Sequence, residues 1–243
     1  KVSILGDAKL TIDEMVERAD AGTASSRTEW ISKVKGYSDA WYLEYNSLLT
    51  SDAVPIRPER ICHELSKNLP DDAFVVVDTG HGGMWMGGMY DLKSPKQNYM
   101  RSGGHLGWAF PAALGAKSAV PDRPVVCFTG DAGFWYHIGE IETAVRWNIN
   151  AVIVVNNNRS GNQSKRGFDR VYGGEQTEKA REMWTFGEVN FAKVAESIGA
   201  LGLRVEKPGD FAPALAKAID SKRPVIIDVV TDIDALAPLA YTI

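Results

Sequence analysis

Carboxylate and amide side chains follow two strand-like apolar runs in the middle of the chain. The run PVVCFT precedes the tetrapeptide GDAG at 130–133, and the next run, AVIVV, precedes three asparagines at 156–158. Asp131 and Asn158 offer oxygen ligands of the kind that Mg²⁺ or Ca²⁺ takes, leaving further positions for a carbonyl and phosphate oxygens. An Asp helix cap and an Asn-rich turn are the alternative for either loop alone.

Small residues beside Asp131 predict a close approach of the backbone to an anion. Gly130, Ala132 and Gly133 leave room for N–H groups to face a phosphate where the following helix begins. Together with the oxygen ligands, this pattern indicates a cation and a phosphate bound side by side.

Alternating strand and helix patterns position these residues. The predicted strands are 74–77, 125–128, 151–155, 203–205 and 225–229, and the predicted helices are 60–69, 106–119, 133–147, 191–198 and 211–219. Strands such as AVIVV are continuously apolar, which is typical of parallel strands covered on both faces. We therefore predict an α/β fold with a doubly wound, mainly parallel sheet and helices on both faces. Ligands in that fold bind at the carboxyl ends of strands, so the loops after 77, 128 and 155 are the candidate site.

Composition excludes several classes of protein. The chain has 243 residues, of which 44% are hydrophobic and 24% charged, so collagen, coiled coil and wholesale disorder are excluded. A net charge of -4 provides no overall basic field for nucleic acid or an anionic membrane. No apolar run reaches the roughly 18 residues of a membrane span. Cys62 and Cys127 match no metal-binding or disulfide framework, so we expect a reducing, cytoplasmic location.

The spacing of the two loops points to a known family. Asp131 and Asn158 are 27 positions apart, and the predicted helix and strand between them fill that interval. This resembles the thiamine-diphosphate signature, in which GDG is followed by NN. The chain resembles the C-terminal, diphosphate-binding domain of the acetolactate synthase, pyruvate oxidase and 2-hydroxyacyl-CoA lyase superfamily. The tripeptide recurs at 6–8, but Val34 stands 27 positions beyond Asp7, so three letters alone predict nothing.

A second block extends the resemblance. Residues 103–116 (GGHLGWAFPAALGA) are similar to the family's GxMG(Y/F)GLPAAIGA. The resemblance implies that the Gly104 carbonyl binds the 4'-amino group of the cofactor, that His105 adjoins the cofactor, and that Leu106 lies between its two rings and imposes a bent conformation. Core packing is the alternative for Leu106.

A third block, residues 78–85 (DTGHGGMW), resembles the family's DVGxHQMW loop. The family histidine falls at Gly82, while His81 lies one place earlier. Gly80, Gly82 and Gly83 permit a close approach of the backbone to a phosphate, and the resemblance implies that Gly80, His81 and Gly82 belong to the cofactor site. Flexibility of a glycine-rich loop is the alternative.

These blocks imply thiamine diphosphate and Mg²⁺ as cofactors. Asp131, Asn158 and the Ser160 carbonyl are the implied metal ligands, and Gly104 and Leu106 the residues that act on the reacting part of the cofactor. The implied cofactor-binding residues are Gly80, His81, Gly82, Gly104, His105, Leu106, Gly130, Asp131, Ala132, Gly133, Asn158, Ser160, Gly161 and Asn162.

The implied activity is that of a lyase or carboligase similar to acetolactate synthase. It would cleave or form a carbon-carbon bond next to the carbonyl of a 2-oxo acid, 2-hydroxyacyl or diketone substrate, and hydrolase or decarboxylase chemistry stays open. A rival hypothesis is a non-catalytic subunit that binds a nucleotide or a metal. The chain lacks GxGxxG and GxxxxGK[ST], which argues against the common nucleotide folds.

The domain organisation predicts a partner. Residues 1–21 are expected to be a remnant strand and helix of a central domain, 22–55 a linker, and 56–243 the diphosphate-binding domain. In the resembling enzymes a separate pyrimidine-binding domain supplies an activating glutamate. We therefore expect a companion polypeptide that carries this domain and the central domain, with dimers or tetramers of such pairs and an active site between chains. Aromatic residues of the linker, including Trp30 and Trp41, favour such a contact.

Overall fold

The computed structural model describes residues 2–19 and 27–238. Residues 20–26, where the predicted boundary between remnant and linker falls, lie outside the described residues, as do residues 1 and 239–243. The helices of the described part are α1 (Ala8–Glu17), α2 (Thr28–Leu49), α3 (Pro58–Asn68), α4 (His81–Met89), α5 (Ala109–Ala119), α6 (Asp131–Tyr136), α7 (Glu140–Arg146), α8 (Asn162–Val171), α9 (Glu178–Glu182), α10 (Phe191–Ile198) and α11 (Phe211–Asp220). The strands are β1 (Phe74–Val77), β2 (Asn98–Arg101), β3 (Val125–Gly130), β4 (Val152–Asn157), β5 (Leu201–Val205) and β6 (Val225–Val230).

These strands form one sheet in the order β2-β1-β3-β4-β6-β5, and every pair is parallel. The chain passes from β1 outward to β2 and then returns to β3 on the other side of β1. The carboxyl ends of β1 and β3 therefore flank a topological switch point, where ligands bind in open α/β sheets. Because β4 lies beside β3, the loops after β1, β3 and β4 are neighbours.

Buried strand residues alternate between two helical layers. Cys127 and Ile153 belong to a core that also contains Phe110 of α5 and Phe191 of α10. Phe128 faces the other way and approaches the backbone of α4, which packs with α3. The helix α11 packs with α3 and with β6. The predicted doubly wound α/β fold is confirmed.

The predicted glycine-rich loop after β1 is wrong, because this stretch forms the helix α4. Glycine has a low intrinsic helix propensity, yet the packing of α4 requires it. A Cβ atom at Gly83 would overlap the Asp78 carbonyl oxygen and the Arg101 guanidinium. Tertiary packing therefore outweighs local propensity here.

Several other boundaries also differ from the predictions. The helix expected over 133–147 is two helices, α6 and α7, and the stretch expected to be a loop after residue 155 contains α8 and α9. The helix expected from Leu106 begins at Ala109. The edge strand β2 has no counterpart among the predictions because its side chains are mostly exposed and form no apolar run. Residues 2–5 form no strand, since nothing among the described residues pairs with them.

The chain divides into two compact units, Lys1–Asn46 and Ser47–Ile243. In the first unit, the Trp41 ring lies 5.0 Å from that of Tyr42 and 5.2 Å from that of Tyr45, measured between centroids. The second unit contains the whole sheet. Across residues 2–19 and 27–238, no helix combines the length and the apolar character that a membrane span requires.

Candidate functional site

A cleft of about 140 Å³ opens at the carboxyl ends of β1, β3 and β4, where the sheet topology places a ligand site. The predicted site residues that line it are Gly80, His81, Gly82, Leu106, Gly130, Asp131, Ala132, Gly133, Asn158, Ser160, Gly161 and Asn162. Gly104 and His105 are not among the lining residues. The structure thus brings together loops that are far apart in sequence.

Asp131, Asn158 and Ser160 meet at one wall of the cleft. The Ser160 N–H donates to Asp131 Oδ2 at 3.1 Å and to Asn158 Oδ1 at 3.2 Å, and the Ser160 hydroxyl donates to the same amide oxygen at 2.9 Å. Asp131 Oδ1 accepts the N–H of Ala132 at 2.7 Å. All three side chains are buried. A carboxylate oxygen and an amide oxygen therefore lie close together beside the Ser160 backbone, and both are oxygen ligands of the kinds that a hard cation takes.

Burial makes the charge of Asp131 costly. The side chain is 2% exposed, and burial raises its pKa to about 7, with a smaller contribution from the negative charge of Asp228. Backbone N–H groups, including that of Ser160, oppose this shift without cancelling it. A bound cation would stabilise the carboxylate, so the donor set fits a divalent metal. The described residues contain no group of three or more His, Cys, Asp or Glu side chains suited to a metal, so one carboxylate with amide and carbonyl oxygens is the candidate set.

Asp78 links three loops around the cleft. Its carboxylate accepts the N–H of Thr79 at 2.9 Å, the hydroxyl of Thr129 at 2.9 Å and the N–H of Gly107 at 2.9 Å. A Cβ atom at Gly133 would overlap this carboxylate and the Thr129 hydroxyl, so the first turn of α6 packs here only with glycine. Asp78 therefore joins the end of β1 to β3 and to the loop before α5.

His81 and Trp85 form another wall, on α4. His81 is 6% exposed, and neither of its ring nitrogens has a hydrogen-bond partner among the described residues, nor has Nε1 of Trp85. The two ring centroids lie 5.5 Å apart. Burial, followed by the charge of Arg166, lowers the pKa of His81 to about 4. The imidazole is therefore neutral near pH 7 and offers one donor and one acceptor to a ligand.

Leu106 lines the cleft and is 40% exposed, so core packing does not account for it. Gly104 lies two residues earlier with a φ of +125°. Ser102 orders this loop, because its hydroxyl accepts the N–H of His105 and donates to the carbonyl of the same residue.

Sequence reasoning missed further lining residues, namely Thr79, Trp85, Asn156, Gln163 and Ser164. The sequence did contain a signal for Asn156, because the alternation of side chains along a strand places residues 156 and 158 on the same face. Trp85 stands four residues after His81, a helical spacing that the expected loop concealed. Gln163 was hidden in the same way, because α8 was expected to be a loop.

Comparison with known families agrees with this geometry. The family model described as "Thiamine pyrophosphate enzyme, C-terminal TPP binding domain" matches residues 78–229. The chain belongs to this family. The matched range begins at Asp78 and includes β3, β4 and the loops that follow them, so the cleft lies within the thiamine pyrophosphate-binding domain. The family predicted from the sequence is confirmed.

Relatives of this thiamine pyrophosphate-binding domain are longer proteins. The chain is 32% identical over 245 residues to a "Probable acetolactate synthase large subunit" of Methanococcus aeolicus, covering 95% of this chain and 40% of the relative. It is 29% identical over 244 residues to the "Sulfoacetaldehyde acetyltransferase" of Castellaniella defragrans, covering 91% and 39%. The chain thus spans about 40% of the length of these curated relatives.

A solved structure shows the same fold. The "thiamine diphosphate-dependent 4-hydroxybenzoylformate decarboxylase" of Rhodococcus jostii RHA1 superposes with a TM-score of 0.64 at 29% identity. The superposition covers 73% of this chain and 33% of that one.

Proposed function

We propose that the cleft binds thiamine diphosphate together with Mg²⁺ held by Asp131, Asn158 and the Ser160 carbonyl. The observation that carries this proposal is the convergence of the Asp131 and Asn158 oxygens on the Ser160 N–H, inside a thiamine pyrophosphate-binding domain. Oxygen ligands of this kind suit Mg²⁺. The cation would also offset the cost of the buried Asp131 charge, which burial and the charge of Asp228 raise.

The remaining lining residues have proposed roles around this centre. Gly80, His81 and Gly82 would face the phosphates on one side, and Gly130, Ala132 and Gly133 on the other. Leu106 would support the bent cofactor, and its half-exposed side chain would pack against the two rings. The Gly104 carbonyl would bind the 4'-amino group, with His105 nearby. Gly161 and Asn162 would close the cleft at the start of α8.

We further propose that this domain serves an enzyme that cleaves or forms a carbon-carbon bond next to the carbonyl of a 2-oxo acid, 2-hydroxyacyl or diketone substrate. Bound thiamine diphosphate supplies a nucleophilic ring carbon and an electron sink for such chemistry. Relatives named acetolactate synthase, sulfoacetaldehyde acetyltransferase and 4-hydroxybenzoylformate decarboxylase support this class. This chain's residues would orient the cofactor and hold its cation.

A calorimetric titration tests the cofactor proposal directly. The chain is titrated with thiamine diphosphate in the presence of Mg²⁺, and again after EDTA. Saturable binding that disappears with EDTA is the expected result. Binding of ATP or NAD in place of thiamine diphosphate would overturn the proposal in favour of a nucleotide-binding subunit.

We propose that activity requires a companion polypeptide with the pyrimidine-binding and central domains, assembled as dimers or tetramers of such pairs. The share of the relatives' length that this chain spans supports a further part of the enzyme. The exposed rings of Trp30 and Tyr37 on α2 support a protein contact. The chain alone, assayed with cofactor, Mg²⁺ and a panel of 2-oxo acids and 2-hydroxyacyl-CoA esters, is expected to be inactive. Turnover equal to that of an active complex would refute the requirement.

We also propose a cytoplasmic location. Cys62 and Cys127 are free and fully buried, and burial raises the pKa of both thiols. Free thiols of this kind suit a reducing compartment. Recovery of the protein in a secreted or periplasmic fraction would contradict this location.

A further inference from the structure

Two residues that line the cleft have a buried amide oxygen with no hydrogen-bond donor among the described residues. Asn156 is 2% exposed and Asn162 is 3% exposed, and both line the cleft. Oδ1 of each lacks a partner among the described residues. Buried acceptors are nearly always paired in proteins, so these two oxygens point to donors that a ligand brings.

The orientation of Asn162 is set by its own amide hydrogens. Nδ2 donates to the carbonyl of Ile233 at 2.8 Å and to that of Ala235 at 2.9 Å. An amide nitrogen has two hydrogens, and both are used in these bonds. The end of the side chain that has no partner is therefore its oxygen.

Asn156 lies close to two of the candidate cation ligands along the sheet edge. It pairs with Gly130 across the parallel strands β3 and β4, so it lies beside the backbone that leads into Asp131. Strand alternation puts Asn156 on the same face as Asn158. Asn157 faces the other way, where its Nδ2 donates to Asp228 at 2.8 Å. Asn156 thus adjoins the proposed cation without belonging to the predicted ligand set.

The chemistry of the ligand decides what these oxygens accept. An ionised diphosphate carries acceptors only, so it cannot satisfy an amide oxygen. Mg²⁺ gives up its water molecules reluctantly and usually keeps several when it is bound in a protein. Water on a divalent cation is polarised and is a good hydrogen-bond donor. Outer partners of this kind orient the inner ligands of a metal and tune its affinity.

We propose that Asn156 and Asn162 accept hydrogen bonds from water molecules of the bound divalent cation, and so form an outer layer of the metal site. This inference rests on the proposed function, in which Asp131, Asn158 and Ser160 hold that cation. Asn156 is then a positioning residue that raises metal affinity through water, whereas Asn162 also ties the cleft to residues 233–235.

The proposal is tested by titrating the full chain with Mn²⁺ in excess thiamine diphosphate and following free Mn²⁺ by electron paramagnetic resonance. Titrations without protein correct for the Mn²⁺ that thiamine diphosphate binds by itself. Asn156→Leu removes the acceptor at nearly constant size and is expected to weaken Mn²⁺ binding about tenfold. Asn156→Asp keeps an acceptor oxygen and is expected to bind Mn²⁺ at least as tightly as the unsubstituted chain. Asn150→Leu, two residues before the opposite end of β4, is the matched control and should change nothing.

Each outcome decides a different point. Equal Mn²⁺ affinity of Asn156→Leu and the unsubstituted chain would overturn the outer-layer role while leaving the proposed function intact. Equal loss in Asn156→Leu and Asn156→Asp would also overturn it, because the amide would then act as a donor to phosphate. Failure of the unsubstituted chain to bind Mn²⁺ with thiamine diphosphate would overturn both proposals.

Repeating the titrations with inorganic pyrophosphate in place of thiamine diphosphate shows which group donates to the amide oxygens: water on the cation, or the amino group of the cofactor. Pyrophosphate has no amino group, so the outer-layer role predicts the same loss in Asn156→Leu with either ligand. A loss seen only with thiamine diphosphate would assign the amide oxygens to the amino group and overturn the proposal. Circular dichroism checks that each variant is folded, and Asn156→Ala replaces Asn156→Leu if the leucine is not accommodated.

Discussion

The tripeptide Gly-Asp-Ala occurs at 6–8 and at 130–132, in very different surroundings. Asp7 is exposed and caps α1, with its Oδ1 accepting the N–H of Leu10 at 3.0 Å. Asp131 is 2% exposed and accepts the N–H of Ser160, which is 29 residues away in sequence. One copy is a helix cap, and the other belongs to a candidate cation site.

The difference between the two copies arises from what precedes each of them. The buried strand β3 delivers Asp131 to the sheet edge, next to the loop that follows β4. No strand precedes Asp7 in the described residues, so its carboxylate stays in water. Burial makes a charge costly unless a ligand compensates it. The tertiary position, and not the tripeptide, therefore decides which aspartate belongs to the candidate cation site.

The largest expected effect separates the two aspartates. Asp131→Ala should weaken Mg²⁺-dependent thiamine diphosphate binding by about 100-fold or more, because it removes the only carboxylate of the proposed ligand set. Asp7→Ala is the matched control and should bind normally. Calorimetry at one Mg²⁺ concentration compares the two variants. Retained Mg²⁺-dependent binding by Asp131→Ala would sink the metal assignment.

The residue after each tripeptide also differs in its surroundings, since Gly133 is closely packed and Lys9 is exposed. Gly133→Ala should lower the free energy of unfolding by about 2–3 kcal/mol, because its Cβ would overlap Asp78 and Thr129. Lys9→Ala, at the equivalent position of the first copy, lies on an exposed helix face and should change it by less than about 0.5 kcal/mol. Urea unfolding measures both. Equal midpoints for the two variants would contradict the close packing at Gly133.

Acid should weaken the cation site of the second copy. The pKa of Asp131 is raised to about 7 by burial, and the proposed cation needs the carboxylate. Mg²⁺ affinity should therefore fall about tenfold per pH unit below about 7 and be level above it. Because the folded pKa is raised, the metal-free protein should lose stability as pH rises from about 4 towards 7.

Asp131→Asn is the control for this pH dependence. The amide that replaces the carboxyl group cannot ionise, so the pH dependence of Mg²⁺ affinity and that of the free energy of unfolding should both lose the part that Asp131 contributes. Titrations of Mg²⁺ with thiamine diphosphate and urea unfolding, each at several pH values, provide the measurements. A Mg²⁺ affinity that is constant between pH 5 and 7 in the unsubstituted chain would assign the cation to other ligands.

The smallest effect concerns the first copy. Asp7→Ala should destabilise the start of α1 by about 1 kcal/mol, because the N–H of Leu10 loses its capping oxygen. Hydrogen exchange of the amides in the first turn of α1 should become faster by a corresponding factor. Unchanged exchange there would mean that Asp7 does not stabilise the helix.

Local pattern accounts for a large part of the fold and of the site. The apolar runs that became β1, β3, β4 and β6 were recognisable because parallel strands are buried on both faces and admit few polar residues. The interval between Asp131 and Asn158 was informative because a helix and a strand must fill it, which brings both residues to one sheet edge. The edge strand β2 lacked that signal, since an exposed strand has no continuous apolar run.

The sequence by itself determined the family, the parallel sheet and the pairing of Asp131 with Asn158, because these follow from apolar patterning and spacing along the chain. Only the tertiary structure decided that the glycine-rich stretch is the helix α4, because close packing at Gly83 overrides glycine's weak helix propensity. It also decided that the side-chain oxygens of Asn156 and Asn162, two residues that line the cleft, have no partner in the described part of the chain. Whether a polar atom is paired depends on neighbours from distant parts of the chain, which no local pattern specifies.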